Sequence, residues 1–218
     1  MFFAVPESER RQARSPHELA MVNLLVLNLL IGVALLAGSM AQPDSLIGSY
    51  KWVAVAVPLL ISAAVIAYTW LRAARAGGTS PWFVAAHWRL SASRYKLLLA
   101  AYVVCAAILS LALFTGSDDA AIEAQIKDLP PAMQEMERRK LHSQHMGEQV
   151  WARIAVVPLI LTVMVTIMLE SGSIYQAQRG EVPDGLVKRF PPPPGLQGSE
   201  TEIIPASSTT ETRGPSTP

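Results

Sequence analysis

Residues 19–41 read LAMVNLLVLNLLIGVALLAGSMA, an uncharged run whose strongly polar members are Asn23 and Asn28. An α-helix rises about 1.5 Å per residue and the hydrocarbon core of a bilayer is about 30 Å thick, so about 20 apolar residues cross it. The run is long enough, and no charge interrupts it. It therefore predicts a transmembrane helix.

Three further apolar stretches, over residues 52–71, 97–114 and 151–170, meet or approach the same length. The chain does not contain enough amphipathic sequence to cover four such helices in a soluble fold. Its composition agrees, because 16% of the residues are charged, against about 25% in an ordinary soluble domain. We therefore expect an all-α integral membrane protein, with four transmembrane helices and their connections over residues 19–175.

The distribution of Lys and Arg predicts orientation, because positively charged loops stay in the cytoplasm. With four spans, residues 1–18, 72–96 and 176–189 lie on one side and contain eleven Lys and Arg, whereas the opposite side contains six. This bias predicts a multi-pass protein of the bacterial inner membrane with both termini in the cytoplasm. An alternative stays open, because the Ser39-Met40-Ala41 tripeptide resembles a signal-peptidase site. Cleavage there would leave three spans.

Two segments outside the spans are predicted from their composition. Residues 118–149 read as helix, Pro130-Pro131 break and helix, which predicts a helical periplasmic excursion whose second helix runs into the fourth span. Residues 176–218 become rich in Pro, Ser and Thr and low in hydrophobicity. Such a segment buries too little surface to offset chain entropy, so we expect a disordered cytoplasmic tail.

The segment 81–96 mixes aromatic and basic residues ahead of the third span. Aromatic rings favour headgroup depth, and cations meet anionic lipid there. The pattern predicts a membrane-surface helix whose side chains contact lipid or a partner subunit, namely Trp82, Phe83, Trp88, Arg89 and Arg94.

The spans also contain residues suited to helix packing. Small residues let helices approach closely, and Asn side chains donate hydrogen bonds across an interface. The predicted packing positions are Asn23, Asn28, Ala101, Cys105 and Ser110. Because Cys105 is the sole cysteine, the chain has no internal disulfide.

The four histidines of the chain are the candidate ligands for a metal ion or a haem. His142 and His145 stand three residues apart on a predicted helix, a spacing that presents two imidazoles to one metal ion. Two ligands do not complete a site, however. An interfacial haem held by His17 and His87, both on the predicted cytoplasmic side, is the redox alternative.

Catalytic and transport motifs are missing from the sequence. It has no nucleophile elbow or phosphate loop, and the charged Arg153 and Glu170 lie at the ends of the fourth span, where long side chains reach the interface. The net charge of +1 argues against nucleic-acid binding. We therefore expect no cofactor and a non-enzymatic accessory, scaffold or assembly subunit of a larger membrane complex, in contact with lipid and partner subunits. A redox protein and a small transporter or channel lined by Asn23 and Asn28 are the alternatives.

Overall fold

The computed structural model describes residues 1–41, 45–115, 126 and 130–201. Helices dominate it, and we number the elements in chain order. They are β1 (Phe2–Phe3), α1 (Glu7–Val22), a π-helical segment (Asn23–Asn28), α2 (Leu29–Met40), α3 (Leu46–Thr79), α4 (Trp82–Thr115), α5 (Pro131–Arg179), α6 (Asp184–Arg189) and β2 (Gly198–Ser199).

Four helices are long and apolar enough to cross a membrane, which confirms the four predicted spans by length and composition. Their ranges are Glu7–Met40, Gly48–Thr79, Trp82–Leu111 and Arg153–Arg179. The first is one continuous rod made of α1, the π-helical segment and α2. Each helix extends beyond the predicted apolar stretch on at least one side, and this extra length brings polar flanking residues into the bundle.

The segment 81–96 is not a separate surface helix, which corrects the prediction. α4 continues without interruption from Trp82 to Thr115, because no Gly or Pro breaks it after the Ser80-Pro81 turn. A continuous helix keeps one axis, so its first turns continue the third span rather than lying across it.

The four long helices pack as a bundle. α5 packs against α4, α1 and α2, and α3 packs against α4 and α2. The interior contains apolar side chains from all four spans, including Leu24, Ile66, Leu98 and Leu159. Many large apolar side chains face outward instead, as a protein surrounded by lipid tails requires.

The two described ends of the chain meet at one end of the bundle, which we call the capped end. β1 pairs antiparallel with β2, and Phe3 donates its backbone N–H to the Gly180 carbonyl at 2.8 Å. Gly180 ends α5 with φ of 75°, a left-handed conformation that favours glycine. A Cβ there would lie 2.7 Å from the Phe3 carbonyl oxygen. The turn therefore needs glycine for its conformation and for its contact.

The predicted disordered tail is corrected over its first part. α5 continues to Arg179, α6 follows, and Phe190 stacks on Trp82 with ring centroids 5.8 Å apart. Aromatic contact and strand pairing with the N-terminus order this segment, although its composition is that of a tail. Residues 202–218 lie outside the described residues.

Candidate functional site

A buried cluster of ionisable side chains lies near the capped end. His17 Nδ1 is 2.5 Å from Glu170 Oε2, and His17 Nε2 is 3.0 Å from His87 Nδ1. The other carboxylate oxygen, Glu170 Oε1, is 3.5 Å from the guanidinium of Arg94. His17 and His87 are 0% exposed and Glu170 is 1% exposed. The cluster therefore joins three helices, α1, α4 and α5, through charged and hydrogen-bonding groups.

Neighbouring backbone groups hold the cluster members in place. Arg94 also donates to the Leu169 carbonyl at 2.6 Å, so its guanidinium is tied to the same turn of α5 that carries Glu170. Ser91, one turn from His87 on α4, donates to the Pro16 carbonyl beside His17. These bonds fix the depth at which the three helices meet.

The sequence analysis paired His17 with His87, as candidate haem ligands, and the structure brings these two rings together. It did not predict that Glu170 and Arg94 join them. It placed Glu170 at the end of a span with its carboxylate reaching the interface, whereas the structure buries it completely. The reason is that α1, α4 and α5 run past the apolar stretches, so residues read as flanks lie inside the bundle. A usable signal existed, because His87, Ser91 and Arg94 recur at positions i, i+4 and i+7 and therefore share one face of α4.

A second polar group lies deeper in the bundle and joins the first rod to α3 and α4. Asn28 Nδ2 donates to Ser62 Oγ at 3.2 Å, Ser62 Oγ is 3.0 Å from Tyr102 Oη, and Tyr102 donates to Asn28 Oδ1. With Ser62 donating to Tyr102, the three bonds form a closed ring that uses each member both as donor and as acceptor. The ring is therefore internally satisfied.

The π-helical segment explains why Asn23 and Asn28 act together. Residues five apart lie about 140° apart around a regular α-helix of 3.6 residues per turn. The wider π turn brings Asn28 close to Asn23, and Asn28 Nδ2 donates to the Asn23 carbonyl at 3.0 Å. Asn23 in turn donates to Tyr95 Oη at 3.4 Å. Both Asn side chains lie at helix contacts, as predicted for packing residues.

The other predicted packing residues divide into two groups. Ala101 and Cys105 are buried between helices. Ser110 is exposed, and its hydroxyl donates to the Ala106 carbonyl of its own helix, so it does not pack between the helices of this bundle. Satisfying the hydroxyl within the helix is what allows a serine to face lipid.

The predicted lipid or partner contacts are largely internal. Phe83 and Trp88 are 1% and 5% exposed and pack within the capped end, which corrects their assignment to an outer surface. Trp82 donates its indole N–H to the Phe190 carbonyl, and the Arg89 guanidinium lies 3.7 Å from the Phe190 ring centroid. Arg94 belongs to the buried cluster. Trp82 and Arg89 therefore hold the C-terminal segment of the same chain.

The structure also bears on the predicted metal and haem ligands. Over the part of the chain that the structure describes, no group of three His, Cys, Asp or Glu is placed to hold a metal ion. The side chains of His142 and His145 lie outside the described residues. Both nitrogens of His17 already have partners, in Glu170 and His87, so the redox alternative requires the cluster to rearrange.

Comparison with known proteins found no matching family model, no similar curated protein and no similar solved structure. The architecture alone therefore defines the class. Four apolar helices of membrane-spanning length indicate a multi-pass α-helical membrane protein.

Proposed function

We propose that the chain is a non-enzymatic accessory, scaffold or assembly subunit of a larger complex in the bacterial inner membrane, with both termini in the cytoplasm. The observation that carries the proposal is the length of α5. Its 49 residues form one uninterrupted helix, about 74 Å long at 1.5 Å per residue. The hydrocarbon core needs less than half of that length.

The N-terminal part of α5 lies outside the candidate span, and we define it as the arm (residues 131–152). It precedes the candidate span Arg153–Arg179 and is about 33 Å long. Met133 and Met136 on this arm are 48% and 64% exposed. Methionine is a flexible apolar side chain that suits protein contact surfaces. The arm therefore offers a contact surface outside the membrane.

The polar groups of the bundle support a structural role as well. The Asn28 ring closes on itself, and Glu170 contacts His17 and Arg94 on two other helices. In a membrane such bonds act between helices, each with a strength of about 0.6–2 kcal/mol. A satisfied interior of this kind is typical of groups that hold a bundle together rather than line a path for a substrate.

Mild-detergent purification of the tagged full chain with quantitative mass spectrometry tests the proposal. We expect a membrane or periplasmic partner at near-equal stoichiometry, which the double variant Met133→Glu, Met136→Glu loses. The matched variant Met133→Leu, Met136→Leu keeps the apolar surface and should keep the partner. A chain that purifies alone, or a partner retained by the Glu variant, contradicts the proposal.

A further inference from the structure

The proton positions in the buried cluster follow from the distances between its side chains. An ionised carboxylate only accepts hydrogen bonds, so Glu170 Oε2 requires a proton on His17 Nδ1. A neutral imidazole has one N–H, and an imidazolium has two. The charge state of His17 therefore decides which ring donates in the His17–His87 contact.

In the first state His17 is neutral. Its Nε2 is then an acceptor, and His87 must donate from Nδ1 across the 3.0 Å contact. This leaves His87 Nε2 as a bare acceptor. That atom is buried and has no hydrogen-bond partner among the residues that the structure describes, while the backbone of Glu181 lies beside the ring.

In the second state one more proton is bound. His17 is an imidazolium that donates to Glu170 from Nδ1 and to His87 from Nε2. His87 then carries its single proton on Nε2. One proton therefore changes the charge of His17 and the tautomer of His87 together.

We propose that Glu170, His17 and His87 form a buried proton-binding site that takes up and releases one proton as a unit. The proton forms an N–H bond on the imidazole chain, no other bond is broken, and water is the donor and acceptor. The groups that face it are Glu170 from α5, His17 from α1, and His87, Arg94 and Tyr95 from α4, with the uncharged Thr69 of α3 beside Tyr95. The site therefore couples the seating of α1 on α4 and α5 to proton binding.

Imidazole ¹⁵N NMR of the full chain in lipid nanodiscs tests this inference, because the nitrogen shifts distinguish both tautomers and the imidazolium. The double variant His142→Gln, His145→Gln leaves only the two imidazoles of the site to be observed. We expect the signals of His17 and His87 to change together, with one shared midpoint, as the pH is varied. Independent midpoints, or signals that do not change with pH, would overturn the proposal.

Two further variants test whether the joint transition depends on the Glu170 carboxylate or on the loss of any nearby negative charge. Glu170→Gln keeps the size of the side chain and removes the carboxylate, so we expect the joint transition of the two imidazoles to disappear. Glu18→Gln is the matched control, because Glu18 lies on the same helix as His17 but is more than half exposed. It should leave the joint transition unchanged. A joint transition that persists in Glu170→Gln contradicts the role of the carboxylate.

Discussion

The two ends of α5, at the capped end and at the arm, differ in their contacts. At the capped end, α5 buries Glu170 against His17 and Arg94 and ends in a glycine turn held by the N-terminal strand. Beyond the other end, the arm extends about 33 Å past the candidate span. One end is closed by contacts within the chain, and the other presents exposed methionines.

The capped end therefore contributes to the stability of the bundle, whereas the arm is available for contact with another protein. Trp82 and Arg89, which suggested an outer surface, pack against Phe190 of the chain's own C-terminal segment. The exposed positions of the arm do not contribute to the bundle core. Substitutions at the capped end should therefore change stability, whereas substitutions on the arm should change association.

The largest expected effect is that of Glu170→Ala. The substitution leaves the buried His17–His87 pair and the partly exposed Arg94 without their carboxylate, and breaking a buried ion pair costs about 3–5 kcal/mol. Denaturant unfolding in detergent micelles measures it. Glu18→Ala, which removes an exposed pair with Arg14, is the control and should cost less than about 1 kcal/mol. Equal effects of the two variants would remove the distinction between the buried cluster and the surface.

Gly180→Ala should have the next largest effect on the free energy of unfolding. A left-handed conformation costs a non-glycine residue about 1–2 kcal/mol, and the added Cβ would also meet the Phe3 carbonyl. The control is Gly185→Ala in α6, where a Cβ meets no atom within 4 Å. Hydrogen exchange of the β1 amides should become faster in Gly180→Ala and stay unchanged in Gly185→Ala. Unchanged exchange in both would mean that the turn does not hold the cap.

Asn28→Leu should destabilise the bundle by about 0.6–2 kcal/mol, the range found for hydrogen bonds between membrane helices. It opens the ring with Ser62 and Tyr102, which remain bonded to each other. Ser110→Ala is the control, since that hydroxyl bonds only its own helix. Loss of solute flux through reconstituted vesicles in an Asn23→Leu, Asn28→Leu variant that still folds would instead favour the transporter alternative.

The smallest effect concerns Asp184 at the surface of the capped end. The Met1 ammonium donates a 2.8 Å hydrogen bond to this carboxyl and lowers its pKa. The pKa of Asp184 is lower in the folded protein than in the unfolded chain. The contact therefore stabilises the fold at a pH above the pKa of the unfolded chain, and this stabilisation is lost as the pH falls through the pKa of the folded protein. A carboxyl NMR titration should give Asp184 a pKa below that of an ordinary aspartate. Acetylation of the Met1 amine should restore the ordinary pKa. An ordinary value before acetylation contradicts the contact.

The spans were predictable because hydropathy over about 20 residues depends on the local sequence alone. The His17 and His87 pair was proposed as a haem site, but its burial with Glu170 was not predictable, because the three residues are far apart in sequence and each lies outside or at the edge of an apolar stretch. The tail was misjudged for a similar reason. Pro191–Pro194 suggested disorder, whereas ring stacking of Phe190 on Trp82 and pairing with β1 depend on residues more than 100 positions away.

Photo-cross-linking in living cells tests the role of the arm most directly. A photoreactive amino acid replaces Met136 on the arm in one variant and Met168 in the fourth span, which is 75% exposed, in the other. We predict a discrete protein adduct from position 136 and lipid adducts alone from position 168. Absence of a protein adduct at position 136, with efficient labelling of lipid at position 168, would contradict the proposal that this protein is a subunit of a larger complex.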